Sequence, residues 1–212
     1  MEIYVKLILQ FNVSNTDLIN EALLDNIKNS ISEIVPKKKI GVAFSGGVDS
    51  TLVSKICTDL GFDVVLLTIG FSESHDIIFS KEVNEYLNYS HHILEIDPET
   101  FSKITSDIRK VIDTDNLSWN ENCIAFHYVS KLAKSLNLDT VITGNGIDEL
   151  FCGYNAYREA FSGGQTKIND IMNSKLDNEL KMMKAVNVIA SEFNVKILQP
   201  SSFLIHYLIL NS

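Results

Sequence analysis

The chemistry that the sequence indicates most strongly lies in a short loop of small residues, 45–50. Gly46 and Gly47 lack Cβ atoms, so the backbone there can curl and present successive N–H groups to an anion at the start of the following helix. Ser45 and Ser50 add hydroxyl donors to the same loop. No Lys-Ser or Lys-Thr pair follows the glycines, so the loop is not a Walker A sequence. We predict a phosphate site of a different type.

An aspartate, Asp49, stands inside this loop, where its carboxylate would repel a bound polyphosphate. A magnesium ion between them turns the repulsion into attraction, because a carboxylate and several phosphate oxygens can complete the oxygen shell of Mg2+. The loop therefore predicts Mg2+ dependence. The plainer alternative is a tight turn in which Asp49 only caps a helix. The order of strand, loop and helix favours the phosphate site.

A second turn rich in glycine, residues 143–154, reads Thr-Gly-Asn-Gly-Ile-Asp-Glu-Leu-Phe-Cys-Gly-Tyr. If both turns meet one polyphosphate, Asp49 and Asp148 face the same anion, which is costly unless a cation lies between them. Sharing one Mg2+ satisfies all three anionic groups. The alternative is that Asp148 and Glu149 only place negative charge at the amino-terminus of a helix, where it is favourable.

Short apolar runs alternate with amphipathic segments along most of the chain. Continuous apolar runs are typical of parallel strands that are covered on both faces. The alternation predicts an α/β fold, an open, mainly parallel twisted sheet with helices on both faces, whose two glycine turns follow strand ends at one rim. The predicted strands are 39–44, 64–69, 92–96 and 139–143, and the predicted helices are 49–60, 76–87, one that opens at Asp97-Pro98, and 121–136.

The first part of the chain predicts a leader segment. Residues 3–11 favour a strand, and residues 16–35 favour an amphipathic helix that ends before Pro36. We interpret 1–35 as this leader and 36–212 as a single domain that carries both glycine turns.

The last part of the chain predicts a linker and a long helix. Residues 162–165, Ser-Gly-Gly-Gln, are typical of a flexible connection, and a helix is predicted at 169–193. The apolar segment 203–210 has neither a cap nor a polar return, as at a truncated terminus.

Composition excludes several classes of function. A formal net charge of -9 and a pI near 5.0 oppose binding to a phosphate backbone, so we expect no nucleic-acid partner. The three cysteines form no C-x-x-C pair, which argues against a disulfide framework and fits a reducing cytoplasm. No apolar stretch reaches the ~18 residues of a membrane helix. The first apolar run is interrupted by Lys6, unlike a signal peptide. We expect a cytoplasmic protein without a membrane partner.

The loop at 45–50, Ser-Gly-Gly-Val-Asp-Ser, resembles the Ser-Gly-Gly-x-Asp-Ser signature of the PP-loop ATP pyrophosphatase superfamily. The resemblance implies that ATP is bound and cleaved between its α- and β-phosphates. The superfamily includes GMP, NAD, argininosuccinate and asparagine synthetases as well as tRNA-modifying thiolases. The first motif therefore leaves the acceptor open.

The turn at 143–154 looks like the Ser-Gly-Glu-Gly-x-Asp-Glu-Leu-Phe-Gly-Gly-Tyr motif of asparagine synthetase C-terminal domains, and the resemblance extends from about residue 39 to 161. It places adenine on the backbone at 67–70, ribose and α-phosphate near Thr143 and Gly144, and the acceptor pocket beside Tyr154. The implied catalytic residues are Asp49, Asp148 and Tyr154, with Asp49 and Asp148 also as metal ligands, and the implied ATP-binding residues are Ser45, Gly46, Gly47, Ser50, Thr68, Ile69, Thr143, Gly144 and Asn145.

The reaction implied by this resemblance joins a carboxylate to ammonia. The carboxylate, with aspartate as the first candidate, attacks the α-phosphate, pyrophosphate leaves, and ammonia captures the acyl-adenylate to give an amide. Residue 2 is Glu2 rather than the cysteine of a glutaminase domain, so ammonia would be free or delivered by a separate subunit. The sequence does not determine the oligomeric state, and a homo-oligomer is compatible with it.

Three positions depart from the family pattern. Asn145 replaces a glutamate, and an amide cannot act as a general base. Cys152 replaces a glycine, and no lysine follows Lys196. Two alternatives therefore stay open: a PP-loop enzyme that modifies a nucleobase or tRNA, which the acidic charge disfavours, and an ATP-binding module without catalysis.

Overall fold

The computed structural model describes residues 25, 28, 29, 31, 39–150 and 152–200. The strand predicted at 3–11 and the apolar segment at 203–210 lie outside the described residues. Within the helix predicted at 16–35, the described residues are helical.

Within the described residues, five parallel strands form one sheet in the order β3-β2-β1-β4-β5. The predicted α/β fold class is confirmed. The four predicted strands are all present, with ends within about two residues of the predicted ones, the usual uncertainty of such boundaries. The strands are β1 (Lys39–Ala43), β2 (Asp63–Gly70), β3 (Ser90–Glu95), β4 (Thr140–Ile142) and β5 (Lys196–Leu198).

Two of the described helices begin at a residue whose side chain bonds the first turn. Asp97 accepts the Thr100 N–H at 2.9 Å before α3, and Asn116 accepts the Trp119 N–H at 3.2 Å before α4. The cap at Asn116 starts α4 four residues before the predicted 121. None of the described helices is long and apolar enough to cross a membrane. The described helices are α1 (Val48–Asp59), α2 (His75–Leu87), α3 (Pro98–Ile112), α4 (Leu117–Ser135), α5 (Ile147–Leu150), α6 (Asn155–Ala160) and α7 (Gly164–Ser191).

Strand β2 shows that both faces of the sheet are covered. Val65 and Leu67 belong to a core cluster that includes side chains from α4 and α7. Val64 and Leu66 point to the opposite face, because neighbouring strand residues alternate, and they are buried as well. The continuous apolar run in β2 is thus explained by burial on two sides, as the fold prediction requires.

Strand β5 is not predicted by the sequence pattern, because three residues give too short an apolar signal. It pairs with β4 at one edge of the sheet. On the outward side of β5, the Asn187 amide nitrogen donates to the Ile197 carbonyl at 3.0 Å, and the Asn187 oxygen accepts the Ile197 N–H at 3.0 Å. A side chain from α7 thereby occupies backbone groups to which another strand could otherwise pair.

The flexible connection predicted at 162–165 is wrong. Phe161–Gly163 form a 3-10 turn, and α7 starts directly afterwards at Gly164. Gly164 has φ +80, a conformation that glycine adopts without strain, and it joins the two helical segments. The positive φ of Gly164 therefore marks the junction between the 3-10 turn and α7, and α7 begins five residues before the predicted 169.

The chain divides into two compact units. The sheet unit comprises 37–144 and 179–198 and contains all five described strands. The second unit comprises 1–36, 145–178 and 199–212, and its described elements include α5, α6 and the first half of α7. The division between the units falls within the second glycine turn, directly after Gly144.

Candidate functional site

The sheet reverses its strand order between β1 and β4. From β1 the order runs through β2 and β3 on one side and through β4 and β5 on the other. Val42 of β1 lies opposite Ile142 of β4 in parallel register. Loops that leave two such strands diverge and form a crevice beyond the carboxyl ends, where open α/β sheets bind ligands. The first glycine loop follows β1, and Thr143 and Gly144 follow β4 at this crevice.

The first glycine loop is organised by hydrogen bonds between its own small residues. The Ser50 hydroxyl donates to the Gly47 carbonyl at 3.1 Å, and the Thr51 hydroxyl donates to the Gly46 carbonyl at 3.2 Å. The Gly47 N–H donates to Ser45 Oγ at 3.3 Å, and the Ser45 and Ser50 oxygens are 3.4 Å apart. The two predicted serine ligands therefore lie next to each other in the folded loop.

Both glycines of the loop have a structural reason. Gly46 has φ +81, and a Cβ atom there would lie 3.1 Å from the backbone of Phe79 on α2. Gly47 is the cap residue of α1 and makes no side-chain capping bond. The cap residue thus gives the first-turn amides of α1 no side-chain acceptor, and an anion at this helix end can supply one. The loop fits the phosphate site predicted from its sequence.

The end of β4 packs directly against this helix start. A Cβ atom on Gly144 would lie 3.1 Å from the Asp49 carbonyl carbon and Cβ and 3.2 Å from the Ser50 nitrogen. The Thr143 N–H donates to the Leu198 carbonyl at 3.0 Å, which fixes the strand end that precedes Gly144. A side chain at position 144 would crowd this helix start, and the sheet unit brings the predicted residues Asp49, Ser50 and Gly144 together.

Thr68, a predicted ATP-binding residue near the end of β2, has its side chain turned into the protein. It is 1% exposed, and its hydroxyl donates to the Phe44 carbonyl at 2.6 Å. The same oxygen is 2.8 Å from Nε2 of His91 on β3. The Thr68 side chain therefore acts within the fold, on the residue that precedes the first glycine loop.

The end of β2 nevertheless leaves backbone groups directed at the crevice. The Leu67 carbonyl accepts the Phe44 N–H at 2.9 Å on the β1 side, and the Gly70 carbonyl accepts the Ile96 N–H at 2.8 Å on the β3 side. Backbone groups alternate sides along a strand, so those of Ile69 face the β1 side, where the chain has already turned away after Phe44. This geometry suits the recognition of a planar base edge by Ile69.

The second unit contains the acidic part of the second turn. Gly146 has φ +86, and Asp148 is exposed in the first turn of α5. The Gly153 N–H donates to the Asp148 carbonyl at 2.9 Å, and a Cβ atom on Gly153 would lie 1.9 Å from Asp148 Oδ1. A side chain at position 153 would therefore displace the Asp148 carboxylate.

Glu149, next in the chain, has a different environment from that of Asp148. It is 5% exposed, and its carboxylate accepts the Tyr154 hydroxyl at 2.5 Å. The Tyr157 hydroxyl donates to the Glu149 carbonyl at 3.0 Å. Burial raises the pKa of Tyr157 to about 12, with smaller contributions from the charges of Cys152 and Glu149. Two tyrosines thus hold the buried Glu149 in place.

A lysine contact and a strained cysteine are two further features of this turn. Lys175 of α7 lies with Nζ 4.4 Å from the centroid of the Tyr154 ring, a cation–π geometry. Cys152 has φ +59, a left-handed conformation that is unfavourable for residues other than glycine. The family motif has glycine at this position, and the observed conformation gives the physical reason.

The predicted site residues fall into two groups. The sheet unit holds the phosphate loop together with Thr68, Ile69, Thr143 and Gly144, and the second unit holds Asn145, Asp148 and Tyr154. Among the described residues, no group of three or more His, Cys, Asp or Glu side chains could hold a metal ion. The interpretation of the sequence missed the internal partners Phe79, Tyr157 and Lys175, which no local pattern identifies, and the role of His91, which the His91-His92 pair could have indicated.

The sheet is parallel, and a glycine loop followed by a helix lies where its strand order reverses. α/β proteins with this arrangement commonly bind anionic ligands at the start of that helix. The asparagine synthase family matches residues 21–199 of this chain. The chain belongs to that family.

Two curated relatives that are named asparagine synthetases are similar to this chain. One, from Methanocaldococcus jannaschii, bears the name of a glutamine-hydrolysing asparagine synthetase and is 33% identical over 129 residues, 60% of this chain and 24% of that protein. Asparagine synthetase B (glutamine-hydrolysing) of Escherichia coli K12 is 24% identical over 163 residues, 70% of this chain and 29% of that protein. The chain thus spans roughly a quarter of the length of the curated relatives it matches. Among solved structures, an NH3-dependent NAD synthetase from Campylobacter jejuni aligns with a TM-score of 0.43 and 22% identity, over 65% of this chain and 59% of that chain.

Proposed function

We propose that this chain carries the ATP-using site of a carbon–nitrogen ligase that activates a carboxylate, aspartate first, as an acyl-adenylate for attack by ammonia. The observation that supports this most is the approach of Gly144 to the first turn of α1, beside Asp49 and Ser50. It joins the two motifs of the asparagine synthase family at the reversal point of the sheet, where a nucleotide would bind.

The phosphates of ATP would lie on the first glycine loop. The backbone of Gly46 and the Ser45 hydroxyl would provide donors. The Gly47 N–H and the Ser50 hydroxyl would exchange their internal acceptors, Ser45 Oγ and the Gly47 carbonyl, for phosphate oxygens. The start of α1 adds its favourable dipole. The base would lie against the backbone of Ile69 beyond the end of β1. These roles agree with the hydrogen bonds and glycine contacts of the sheet unit.

Magnesium would be held by Asp49 in the first turn of α1, and the resemblance to the family implies Asp148 as a second ligand. Mg2+ in nucleotide sites commonly takes one or two carboxylates and completes its shell with phosphate oxygens and water. The exposed Asp148 carboxylate has the freedom to serve as such a ligand, whereas Glu149 is already bound by Tyr154. Bound Mg2+ would neutralise charge on the departing pyrophosphate.

The proposed reaction balances in two steps. A carboxylate oxygen forms a bond to the α-phosphorus, and the bond from that phosphorus to the bridging oxygen breaks, so pyrophosphate leaves with the electron pair. Ammonia then attacks the acyl carbon, AMP leaves with its oxygen, and the nitrogen loses a proton to water or base. The contribution of the chain is mainly positioning and charge stabilisation.

The test is to incubate the chain with Mg·ATP, aspartate and ammonium and to separate the nucleotides. We expect AMP and pyrophosphate, and ADP with phosphate would eliminate the proposal. Asp49→Asn should lower the rate of AMP formation at least about hundredfold, while the matched change Asp59→Asn at the other end of α1 should not. Asp59 forms an exposed ion pair with Lys55, and such a pair contributes little to stability.

A second candidate function is an ATP-binding module without ligase activity. Asn145 favours it, because this amide stands where the family motif has glutamate and cannot remove a proton from the attacking amine. Calorimetry that shows Mg·ATP binding, together with no AMP from any carboxylate, would support this candidate. Recovery of turnover in Asn145→Glu would identify the position responsible.

A further inference from the structure

His91 has a hydrogen-bond role that follows from the donor count at Thr68. The Thr68 hydroxyl has one hydrogen, and the Phe44 carbonyl, 2.6 Å away, can only accept it. The contact of 2.8 Å between Thr68 Oγ1 and His91 Nε2 must then be a bond that the imidazole donates. The network therefore assigns the Nε2–H tautomer to His91.

Phe44 is the residue that this network fixes. Its N–H donates to the Leu67 carbonyl at 2.9 Å, and its carbonyl accepts the Thr68 hydroxyl. Its ring meets the His91 ring edge-on, with centroids 5.7 Å apart. The N–H and the carbonyl of Phe44 are thus both bonded to β2, directly after the end of β1. The next peptide N–H, that of Ser45, is the first of the phosphate loop.

The surroundings of His91 favour a neutral ring. Burial lowers the pKa of His91, and the positive charges of His92 and Lys81 lower it further. A neutral imidazole with hydrogen on Nε2 leaves Nδ1 as an acceptor and donates only to Thr68. His92 is exposed and its side chain points to the other face of β3, so it provides a matched control.

We propose that His91 is a positioning residue for the phosphate loop, which it orients through the Thr68 hydroxyl and the Phe44 carbonyl. An apolar residue of similar size could fill the space, but the Thr68 hydroxyl would lose the donor that sets its direction. The effect on ATP affinity rests on the proposed function, whereas the effect on the loop backbone does not.

The unmodified protein gives the first test. Long-range 1H–15N NMR spectra of the imidazole groups should show His91 with its hydrogen on Nε2, and Thr68→Val should remove the downfield shift that the hydrogen bond causes. A predominant Nδ1–H tautomer would overturn the inference without any variant of His91.

Variants give the second test. Hydrogen exchange of the amides at 44–47 in the nucleotide-free protein should be faster in His91→Leu than in the control His92→Leu. Mg·ATP affinity should fall about tenfold in His91→Leu, the effect of losing one buried hydrogen bond. The amide of Gln in His91→Gln can donate from nearly the same position. This variant should therefore recover most of the protection from exchange and most of the Mg·ATP affinity.

The outcomes separate the inference from the proposed function. Equal exchange and equal ATP affinity in His91→Leu and His92→Leu would overturn the inference. A second outcome is that amide exchange is faster in His91→Leu but the unmodified chain binds no Mg·ATP. This outcome would support the positioning role and refute the proposed function. If His91→Leu does not fold, the pair Thr68→Val and Thr68→Ser applies the same comparison to the hydroxyl.

Discussion

The two glycine turns place their acidic residues in opposite ways. In the first glycine turn, Asp49 lies at the start of a helix whose cap is a glycine, and Gly144 packs beside it. In the second turn, Asp148 is exposed while Glu149 is buried under two tyrosine hydroxyls. The comparison indicates that the Asp148 side chain is accessible from solvent, whereas Glu149 has a structural role.

The largest effect should come from removing the charge of Asp49. We expect Asp49→Asn to lower kcat/KM for AMP formation at least about hundredfold, because metal-assisted charge stabilisation contributes several kcal/mol. The folded fraction should not change. Turnover close to that of the unmodified chain would mean that Asp49 is not a metal ligand.

A change at Glu149 should lower stability, whereas the change at Asp49 should lower activity and leave the folded fraction unchanged. We expect Glu149→Gln to lower the free energy of unfolding by about 2 kcal/mol, because a buried hydrogen bond to a charged group is weakened. Urea denaturation measures this, with the exposed Glu159→Gln of α6 as the control. A variant that is fully stable but inactive would make Glu149 a reacting group and reverse the comparison.

The approach of Gly144 to α1 can be tested with one methyl group. Gly144→Ala places a Cβ atom 3.1 Å from the backbone of Asp49, so the helix start must shift. We expect Mg·ATP affinity to fall about tenfold, a cost of ~1.4 kcal/mol. Gly61→Ala is the control, since no atom lies within 4 Å of its Cβ position and only its φ of +85 is strained. Equal affinity in both would contradict the predicted site.

Tyr157 should contribute a pH-dependent part of the stability. Tyr157→Phe removes the bond to the Glu149 carbonyl and should cost about 1 kcal/mol near neutral pH. The pKa of Tyr157 rises from 10.0 to about 12 on folding. Its contribution is therefore complete below pH 10 and is lost as the pH rises through about 12. Urea unfolding at pH 8 to 12 should show the difference between the two proteins shrink, and a constant difference would argue against burial of the hydroxyl.

Cys152 should give the smallest effect, and a favourable one. Cys152→Gly relieves a left-handed backbone, which costs about 1–2 kcal/mol in other residues, but adds entropy to the unfolded chain. We expect a net gain near 0.5 kcal/mol in the free energy of unfolding. Cys152→Ala keeps the strained conformation and should show no gain, so an equal gain in both variants would exclude backbone strain as the cause.

The sequence predicted the parts of the fold that depend on local pattern. Apolar runs predicted β1, β2 and β4, because burial on two faces restricts these strands to apolar residues. Small residues predicted the first loop, because close backbone approach there restricts the size of the side chain. Strand β5 and the junction at Gly164 could not be predicted in this way. The first is too short, and the second depends on how two helices join.

The candidate site shows the same division. The Ser45 loop was recognisable from spacing alone, and the structure gives Gly46 the positive φ that such a loop requires. The inward turn of Thr68 was not predictable, since its partners Phe44 and His91 are 24 and 23 residues away in the chain. The burial of Glu149 beside the exposed Asp148 likewise depends on tyrosines that follow later. The domain boundaries and the metal-ligand roles stay predictions.

The most direct measurement of the central claim uses aspartate labelled with 18O in its side-chain carboxylate. The chain is incubated with the labelled aspartate, Mg·ATP and ammonium, and the masses of the nucleotide and phosphate products are measured by mass spectrometry. Attack on the α-phosphorus transfers one carboxylate oxygen to the nucleotide, so the account predicts AMP that is heavier by one 18O. Unlabelled AMP, or ADP with the label in inorganic phosphate, would contradict it.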